Sequence, residues 1–219
     1  MGYLSFMMST DIITPSLIQS IKDRLNHPLP GKAAQEKMLT RPKIPVNILG
    51  FERKGIPAGV LLLLFPDNDN IHFFLTLRTE TVDHHKGQIS FPRGVKENNE
   101  TLEHTALRET MEEIGIKPES ISMIGELTPL FIPVTGFEIF PFIGWSGSKP
   151  VTKTQDKEVE KIIVASISDL IDEQNHKIKK TKIRNIPVSM PYYDLNGETV
   201  WGATSMILSE FKTVIQEVL

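Results

Sequence analysis

The residues of this chain best suited to chemistry are Arg108, Glu109, Glu112 and Glu113, crowded into the segment Gly94 to Ile116 (GVKENNETLEHTALRETMEEIGI). In an α-helix, positions i, i+3 and i+4 share a face, so the three glutamates are expected to project the same way. Like charges so close repel one another. A hard divalent cation, which prefers carboxylate oxygens, would turn that repulsion into binding. The competing reading is a solvated acidic helix face, the ordinary fate of a charge run. Two neighbouring features weigh against it. Pro92, Arg93 and Gly94 lead in as a glycine-containing loop whose amides could meet a phosphate. Glu100 stands far enough before Arg108 to fold back, pair with the guanidinium and fix the loop on the helix.

The helix that must carry these groups has local support. Leu102, Ala106, Leu107, Met111 and Ile114 are spaced to form an apolar face. Thr101, Asn98 or Asn99 can cap its start, and Gly115 can supply a left-handed stop. Around it the pattern predicts an N-terminal helix over Pro15 to His27 and a proline-rich connection to Pro57, with a helical turn near Ala33 to Leu39. Strands are expected at Val60–Phe65, Ile71–Arg78, Gln88–Phe91, Ser122–Leu130, Phe137–Trp145, Glu158–Val164, His176–Arg184 and Pro187–Tyr193. Ser166 to Glu173 reads as helical, and Ala203 to Leu219 as a closing amphipathic helix. Mixed strands with two main helices predict an α/β (α+β) sandwich.

The segment resembles the Nudix box, G-x5-E-x7-R-E-U-x-E-E-x-G-U, where U is a bulky aliphatic. Gly94, Glu100, Arg108, Glu109, Glu112, Glu113, Gly115 and Ile116 fall in register, and Thr110 takes the first aliphatic site. The resemblance implies a Nudix fold: an α/β/α sandwich with a central mixed sheet and the catalytic helix packed on it. The implied division is residues 1 to 50 as an N-terminal helix and proline-rich connection, and residues 51 to 219 as the Nudix hydrolase domain. Upstream, LTLRTETVDHHKGQISFPRG looks like the signature of the coenzyme A diphosphatase branch. Leu75, Thr76, Arg78, Gly87, Phe91, Pro92 and Gly94 match, while Asp83 stands where an Arg is expected and Arg93 where a Gly is expected. Downstream, Pro133 to Gly136, Phe140 to Phe142, Glu158 and Val200 to Leu208 are similar to later elements of that branch.

That resemblance implies a metal-dependent hydrolase cutting the diphosphate of coenzyme A or acyl-CoA to 3′,5′-ADP and (acyl-)4′-phosphopantetheine. Following the family, Mg²⁺ or Mn²⁺ would be held by Glu109 and Glu113, with Glu112 assisting and the Gly94 carbonyl adding an oxygen. Such ions screen phosphate oxygens and acidify bound water. The general base is Glu109 or, downstream, Glu158; the bland reading of Glu158 is a surface acid beside Lys157, Glu160 and Lys161. Arg108 reads as a holder of Glu100 and the loop. Arg78 could reach a substrate phosphate or end its strand in a salt bridge, and Arg93 and Gly94 line the mouth of the site. His84 and His85, adjacent in sequence, read as loop residues and not as a metal pair. Trp145, Trp201, Tyr192 and Tyr193 read as packing, with an adenine stack as the alternative. The basic stretch Lys177, Lys179, Lys180, Lys182 and Arg184 reads as a solvated strand, with a coenzyme A 3′-phosphate site as the alternative.

Bulk properties set outer bounds. Length fits one domain with a sizeable core. A net charge of −3 provides no basic excess for a nucleic-acid partner. The absence of cysteine excludes disulfides and thiolate chemistry. No apolar run approaches the ~18 residues of a membrane span, and Ala58 to Phe65 reads as a buried strand. MGYLSFMM lacks a basic n-region, and position 6 is Phe where a myristoylation signal needs Ser or Thr. The expectation is a cytoplasmic enzyme with a small-molecule nucleotide-diphosphate substrate and no nucleic-acid or membrane partner. It could pair as a homodimer, with residues 1 to 50 covering the site, joining subunits or merely packing. Two other readings stand beside it: a Nudix hydrolase of another nucleoside diphosphate derivative, such as ADP-ribose or a dinucleoside polyphosphate, and a nucleotide-sensing Nudix module without turnover.

Overall fold

The computed structural model describes residues 10–42, 55–79, 88–154, 158–183 and 185–219. Their elements in chain order are α1 (Thr10–Leu25), α2 (Gly31–Gln35), β1 (Arg41–Pro42), β2 (Ile56–Asp67), β3 (Asn70–Arg78), β4 (Ile89–Ser90), β5 (Arg93–Val95), α3 (Leu102–Ile114), β6 (Ser122–Glu126), β7 (Leu130–Ile132), β8 (Phe137–Trp145), β9 (Val159–Ser166), α4 (Ile167–Ile171), β10 (His176–Ile183), β11 (Ile186–Leu195), β12 (Glu198–Trp201) and α5 (Ala203–Gln216).

The continuous apolar run Val60 to Phe65 becomes the central strand of an eight-stranded mixed sheet. β2 pairs parallel with β8 and antiparallel with β3 and β5. A strand covered on both faces needs apolar side chains at every position, not at alternate ones. The alternation sorts them between two cores. Leu61, Leu63 and Phe65 pack with Ala106 and Ile114 of α3, whereas Val60, Leu62 and Leu64 pack with Phe211, Val214 and Ile215 of α5. The result is the expected α/β/α sandwich around a mixed sheet. Gly59 on β2 lets α3 lie close, because a Cβ there would strike the carbonyl oxygen of Leu102. A second, antiparallel sheet joins β1, β11, β10 and β12. The N-terminal segment packs into the second core through Ile18, Ile21 and Met38.

Several local expectations change. α1 begins at Thr10, before Pro15. The Ser122–Leu130 strand splits into β6 and β7, which pair with different stretches of β8. The Pro92–Gly94 loop is largely β5, hydrogen-bonded to β2. β12 extends past the Asn196–Gly197 turn, where no strand was expected. On α3, Met111 is half-exposed, while Thr105 and Thr110 are buried in its place. Both threonine hydroxyls have acceptors, Thr105 in the Glu100 carboxylate at 2.8 Å with the Thr101 carbonyl at 3.1 Å, and Thr110 in the Ala106 carbonyl one turn back, so threonine can occupy a buried stripe without an unsatisfied donor. Asp83, His84, His85, Gly87, Lys157 and Arg184 lie outside the described residues.

Candidate active site

α3 is held at both ends. Thr101 Oγ1 accepts the His104 amide at 3.1 Å, and Gly115 closes the helix at φ 75°. Arg108 then ties the preceding loop to the helix. It reaches both oxygens of Glu100, at 3.1 and 3.2 Å, and the Val95 carbonyl at 3.3 Å. Thr105 Oγ1 and the Glu97 amide also donate to Glu100, both at 2.8 Å. The Arg108 guanidinium is the main cause that lowers the Glu100 carboxyl to a pKa of about 2. The expected loop-to-helix clamp is therefore present in detail.

The three helix glutamates do not share one environment. Glu113 is 2% exposed, beneath β3. Its carboxylate meets Arg78 Nη1 and Thr76 Oγ1 at 3.4 Å each, contacts at the long limit of hydrogen bonding. Glu109 is largely buried and accepts from Arg108 Nη1 at 2.7 Å. Glu112, 57% exposed, turns outward and meets the same nitrogen at 3.1 Å. Burial raises the pKa of Glu113 to about 7 and raises that of Glu109, with the charge of Glu158 adding to both. Glu158, at the mouth of β9, is half-exposed and lies 3.9 Å from Arg78 Nη2, which places this downstream acid at the rim of the cluster. Arg78 thus bridges Glu113 and Glu158.

Gly94 on β5 lies directly against Glu109, and a Cβ there would overlap its carboxylate. Arg93 is partly desolvated. Burial lowers its pKa first, then the charge of Arg78, while Glu113 and Glu109 oppose the shift. Arg93 also lines a groove with Ser90, Phe137, Trp201, Gly202 and Thr204. Thr204 Oγ1 donates to the Ile89 carbonyl at 2.9 Å and fixes the start of α5 against β4.

The chain matches the NUDIX domain model over residues 55–186, more than half its length. It belongs to the Nudix family. Nudix enzymes are hydrolases of pyrophosphate bonds, and the box of this chain retains every acidic position of the motif. The chain is 25% identical over 208 residues to Nudix hydrolase 3 of Caenorhabditis elegans, covering 84% of this chain and 86% of the relative. It is 45% identical over 71 residues to the uncharacterized Nudix hydrolase NudL of Klebsiella aerogenes, covering 32% of this chain and 58% of the relative. The fold is similar to that of a Nudix hydrolase from M. smegmatis, RenU, with a TM-score of 0.51, 15% identity, and coverage of 76% and 90%. No helix among the described residues is long and apolar enough to cross a membrane.

A divalent ion of the kind Nudix hydrolases use fits this donor set. Five carboxyls (Glu100, Glu109, Glu112, Glu113, Glu158) face three guanidiniums (Arg78, Arg93, Arg108), an excess of two negative charges when all five are ionised, as they would be around a cation. Among the described residues no three acidic or imidazole groups already converge on one point. Mg²⁺ asks for less, since it binds through one or two carboxylates and keeps several waters. Arg78 Nε and Ser90 Oγ are buried without a hydrogen-bond partner among the described residues, so the site also has donors to offer a ligand.

Sequence reasoning found the carboxylates, Arg108 and the Glu158 position. It gave no role to Thr76, which touches Glu113, although alternation along β3 was the available signal. Trp201, which reads as packing from the sequence, lines the groove together with Arg93, a meeting of β12 and β5 that no local spacing marks. Trp145, Tyr192 and Tyr193 do not line the groove, and neither does any described residue of the Lys177–Lys182 stretch. Lys177 pairs with Asp194 at 2.6 Å.

Proposed function

We propose that this Nudix hydrolase cleaves the diphosphate of coenzyme A or acyl-CoA, giving 3′,5′-ADP and (acyl-)4′-phosphopantetheine. The observation that carries the reading is a shared residue. The charge of Arg93 acts on Glu109 and Glu113, and the same residue stands in the wall of the groove that includes Trp201. A diphosphate held at the carboxylates would continue into a trough lined by Phe137, Ile139 and Trp201, suited to a base or a pantetheine arm. The groove also includes the start of α5, where Gly202 offers no side-chain cap and the first amides favour an anion. The coenzyme A assignment within the diphosphate class rests on the match of Leu75 to Gly94 with the signature of that branch.

In this reading Glu109 and Glu113 hold Mg²⁺ or Mn²⁺, with Glu112 moving inward to assist. The ion supplies charge neutralisation at the phosphate oxygens and a more acidic water. Arg93 and Arg78 take up the remaining phosphate charge as point and fork donors. Glu158 or Glu109 accepts the proton of the attacking water; Glu158 is free to move at the rim, whereas Glu109 must first leave Arg108. Arg108 keeps Glu100 and the loop before α3 in place, a positioning role. The enzyme acts on a small molecule from solution, in the cytoplasm, and residues 1 to 50 form an N-terminal addition to the hydrolase domain.

The second reading keeps the chemistry and changes the substrate to ADP-ribose or a dinucleoside polyphosphate. Arg93, in place of a glycine, adds a charge that a longer phosphate chain would use. Chromatographic analysis of products over a panel of diphosphates, with each metal, decides between them. Release of 3′,5′-ADP from coenzyme A as the fastest reaction is the expected result. No 3′,5′-ADP with either metal, alongside cleavage of another panel member, would replace the first reading by the second.

A further inference from the structure

A second polar cavity lies on the far half of α5, away from the carboxylates. It is lined by Lys37, Glu173, His176, Tyr193, Ser209, Lys212, Thr213 and Gln216, and shares no residue with the groove at Trp201. Lys212 is nine positions beyond Ala203, which sets the two sites about 13 Å apart along the helix axis. Lys212 is the unusual member. Lysine is almost never fully buried unless paired, yet here it is only 6% exposed. Its ammonium meets Glu173 at 2.9 Å and stands 5.6 Å from the centre of the Tyr193 ring, and no further acceptor reaches it among the described residues. Glu173, the ammonium's one anionic partner among the described residues, is itself 71% exposed at the rim, where Gln216 also bonds it. His176 Nε2 is buried beside it with no hydrogen-bond partner among the described residues. Lys37 approaches from the turn after α2. The Thr213 hydroxyl is spent on the Ser209 carbonyl at 3.0 Å, and the Tyr193 hydroxyl bonds the Ser209 side chain, so the two lysines and the imidazole are the groups left for a ligand.

Two ammonium groups and an imidazole nitrogen drawn from three separate elements suit a tetrahedral oxyanion better than a flat carboxylate, because such an anion presents several oxygens in different directions. We propose that this cavity is a phosphate-binding site distinct from the diphosphate site, taking inorganic phosphate or the phosphate group of a nucleotide monophosphate. The bound anion takes over the Lys212 ammonium from Glu173 and bridges α5 to the turn carrying Lys37. A structural Lys212–Glu173 tie is the alternative, and it predicts no ligand.

The test uses the full-length protein in chelator, so that no divalent ion recruits phosphate to the carboxylates. Inorganic phosphate and adenosine 5′-monophosphate are titrated separately, against chloride at matched ionic strength, by calorimetry and thermal shift. Three proteins are compared: the wild type, a Lys37→Gln/His176→Gln double variant and Arg93→Gln. The expected result is millimolar or tighter binding of at least one probe. It should weaken at least about tenfold in the double variant and persist in Arg93→Gln. Both substitutions in the double variant are at positions less buried than Lys212, which guards against loss of the fold; Lys212→Met, if it folds, should abolish binding. No binding by the wild type at millimolar probe, or binding that survives the double variant and disappears in Arg93→Gln, overturns the proposal.

Discussion

Two glutamates among the described residues are buried, and they are opposites. Glu210 on α5 has no exposed surface and is surrounded by neutral donors at short range. Thr128 Oγ1 reaches it at 2.7 Å, Gln35 Nε2 at 2.9 Å, the Gly31 amide at 3.0 Å and the Thr128 amide at 3.3 Å. Glu113 on α3 is nearly as deeply buried but has, among the described residues, two long contacts, with Arg78 and Thr76, and other carboxylates for neighbours. A buried charge is tolerable when hydrogen bonds replace its hydration. Glu210 has that replacement and fastens α2, the loop before β7 and α5 together. Glu113 lacks it, and its desolvation is what a cation would relieve. Burial alone therefore does not distinguish a satisfied carboxylate from one left short of donors; the number and length of its hydrogen bonds do.

The comparison breaks most readily at Glu113. Replacing it by Gln should lower kcat/KM on the order of 10³-fold, about 4 kcal/mol of transition-state stabilisation, while the metal-free protein stays folded. Turnover within threefold of wild type, in an assay that sees the wild-type rate, contradicts the ligand assignment. The same variant has a signature in stability. With its folded pKa raised to about 7 from 4.5, Glu113 favours the folded state most below pH 4.5 and loses that contribution as pH rises through 7. The loss is on the order of 3 kcal/mol. Urea unfolding in chelator should therefore show the wild type falling relative to Glu113→Gln between pH 4.5 and 7, with the difference flat above. Parallel pH curves would remove the argument that this carboxylate is under-solvated. Glu100 is no confounder in that window: with its pKa lowered to about 2, its stabilising contribution is already present above the ordinary value of 4.5, and it is lost only as pH falls from there through 2.

Glu210→Ala should show the reverse pattern. Four donors lose their acceptor, and the expected cost is about 3 kcal/mol of folding stability, read as a lower urea midpoint. The rate per folded molecule should stay within twofold of wild type, because Glu210 touches nothing in the groove or the carboxylate cluster. A large fall in kcat at full folding would mean that the start of α5 transmits strain to the substrate groove. Gly94→Ala comes next in size. The added methyl displaces Glu109 without touching Glu113, so metal affinity or activity should fall by roughly 10- to 100-fold, the range seen when the setting of a ligand is disturbed. Unfolding free energy should change by less than about 1 kcal/mol.

Much of one side of this comparison was legible in the sequence, and little of the other. The box fixes Glu113, Glu109, Arg108 and Glu100 within a short stretch: helical periodicity brings the first three together, and Glu100 meets Arg108 from the loop just before the helix. Helix caps and the Glu100–Arg108 pair are local, and β8 has the bounds that its apolar run predicts. Periodicity failed where residue type and burial diverge: Glu112 turns out to solvent beside a buried Glu113, and Met111 is displaced from the core by two threonines. Glu210 carries no local mark, because Gln35 and Thr128 lie far away in sequence and meet it only after the sheet has closed. The same holds for Trp201 and Arg93, which become neighbours through β12, α5 and β4. Short-range chemistry is written in spacing; a hub or a groove assembled from distant elements is written only in the fold.

The finest test of that distinction is Thr110, the one box position that departs from the aliphatic pattern. Its side chain is buried, and its hydroxyl is spent locally on the Ala106 carbonyl at 2.7 Å. Thr110→Val exchanges that hydroxyl for a methyl of similar size. The lost bond was a back-bond to a helix carbonyl that also accepts a backbone amide, so no polar group is stranded, and such back-bonds slightly destabilise helices. A buried methyl adds a small apolar gain. The two effects nearly cancel, and unfolding free energy should move by no more than about 0.5 kcal/mol, with activity within twofold. A loss well above that would show that the hydroxyl belongs to the hydrogen-bond system around Glu113, and the line between scaffold and chemistry on α3 would have to be drawn one turn earlier.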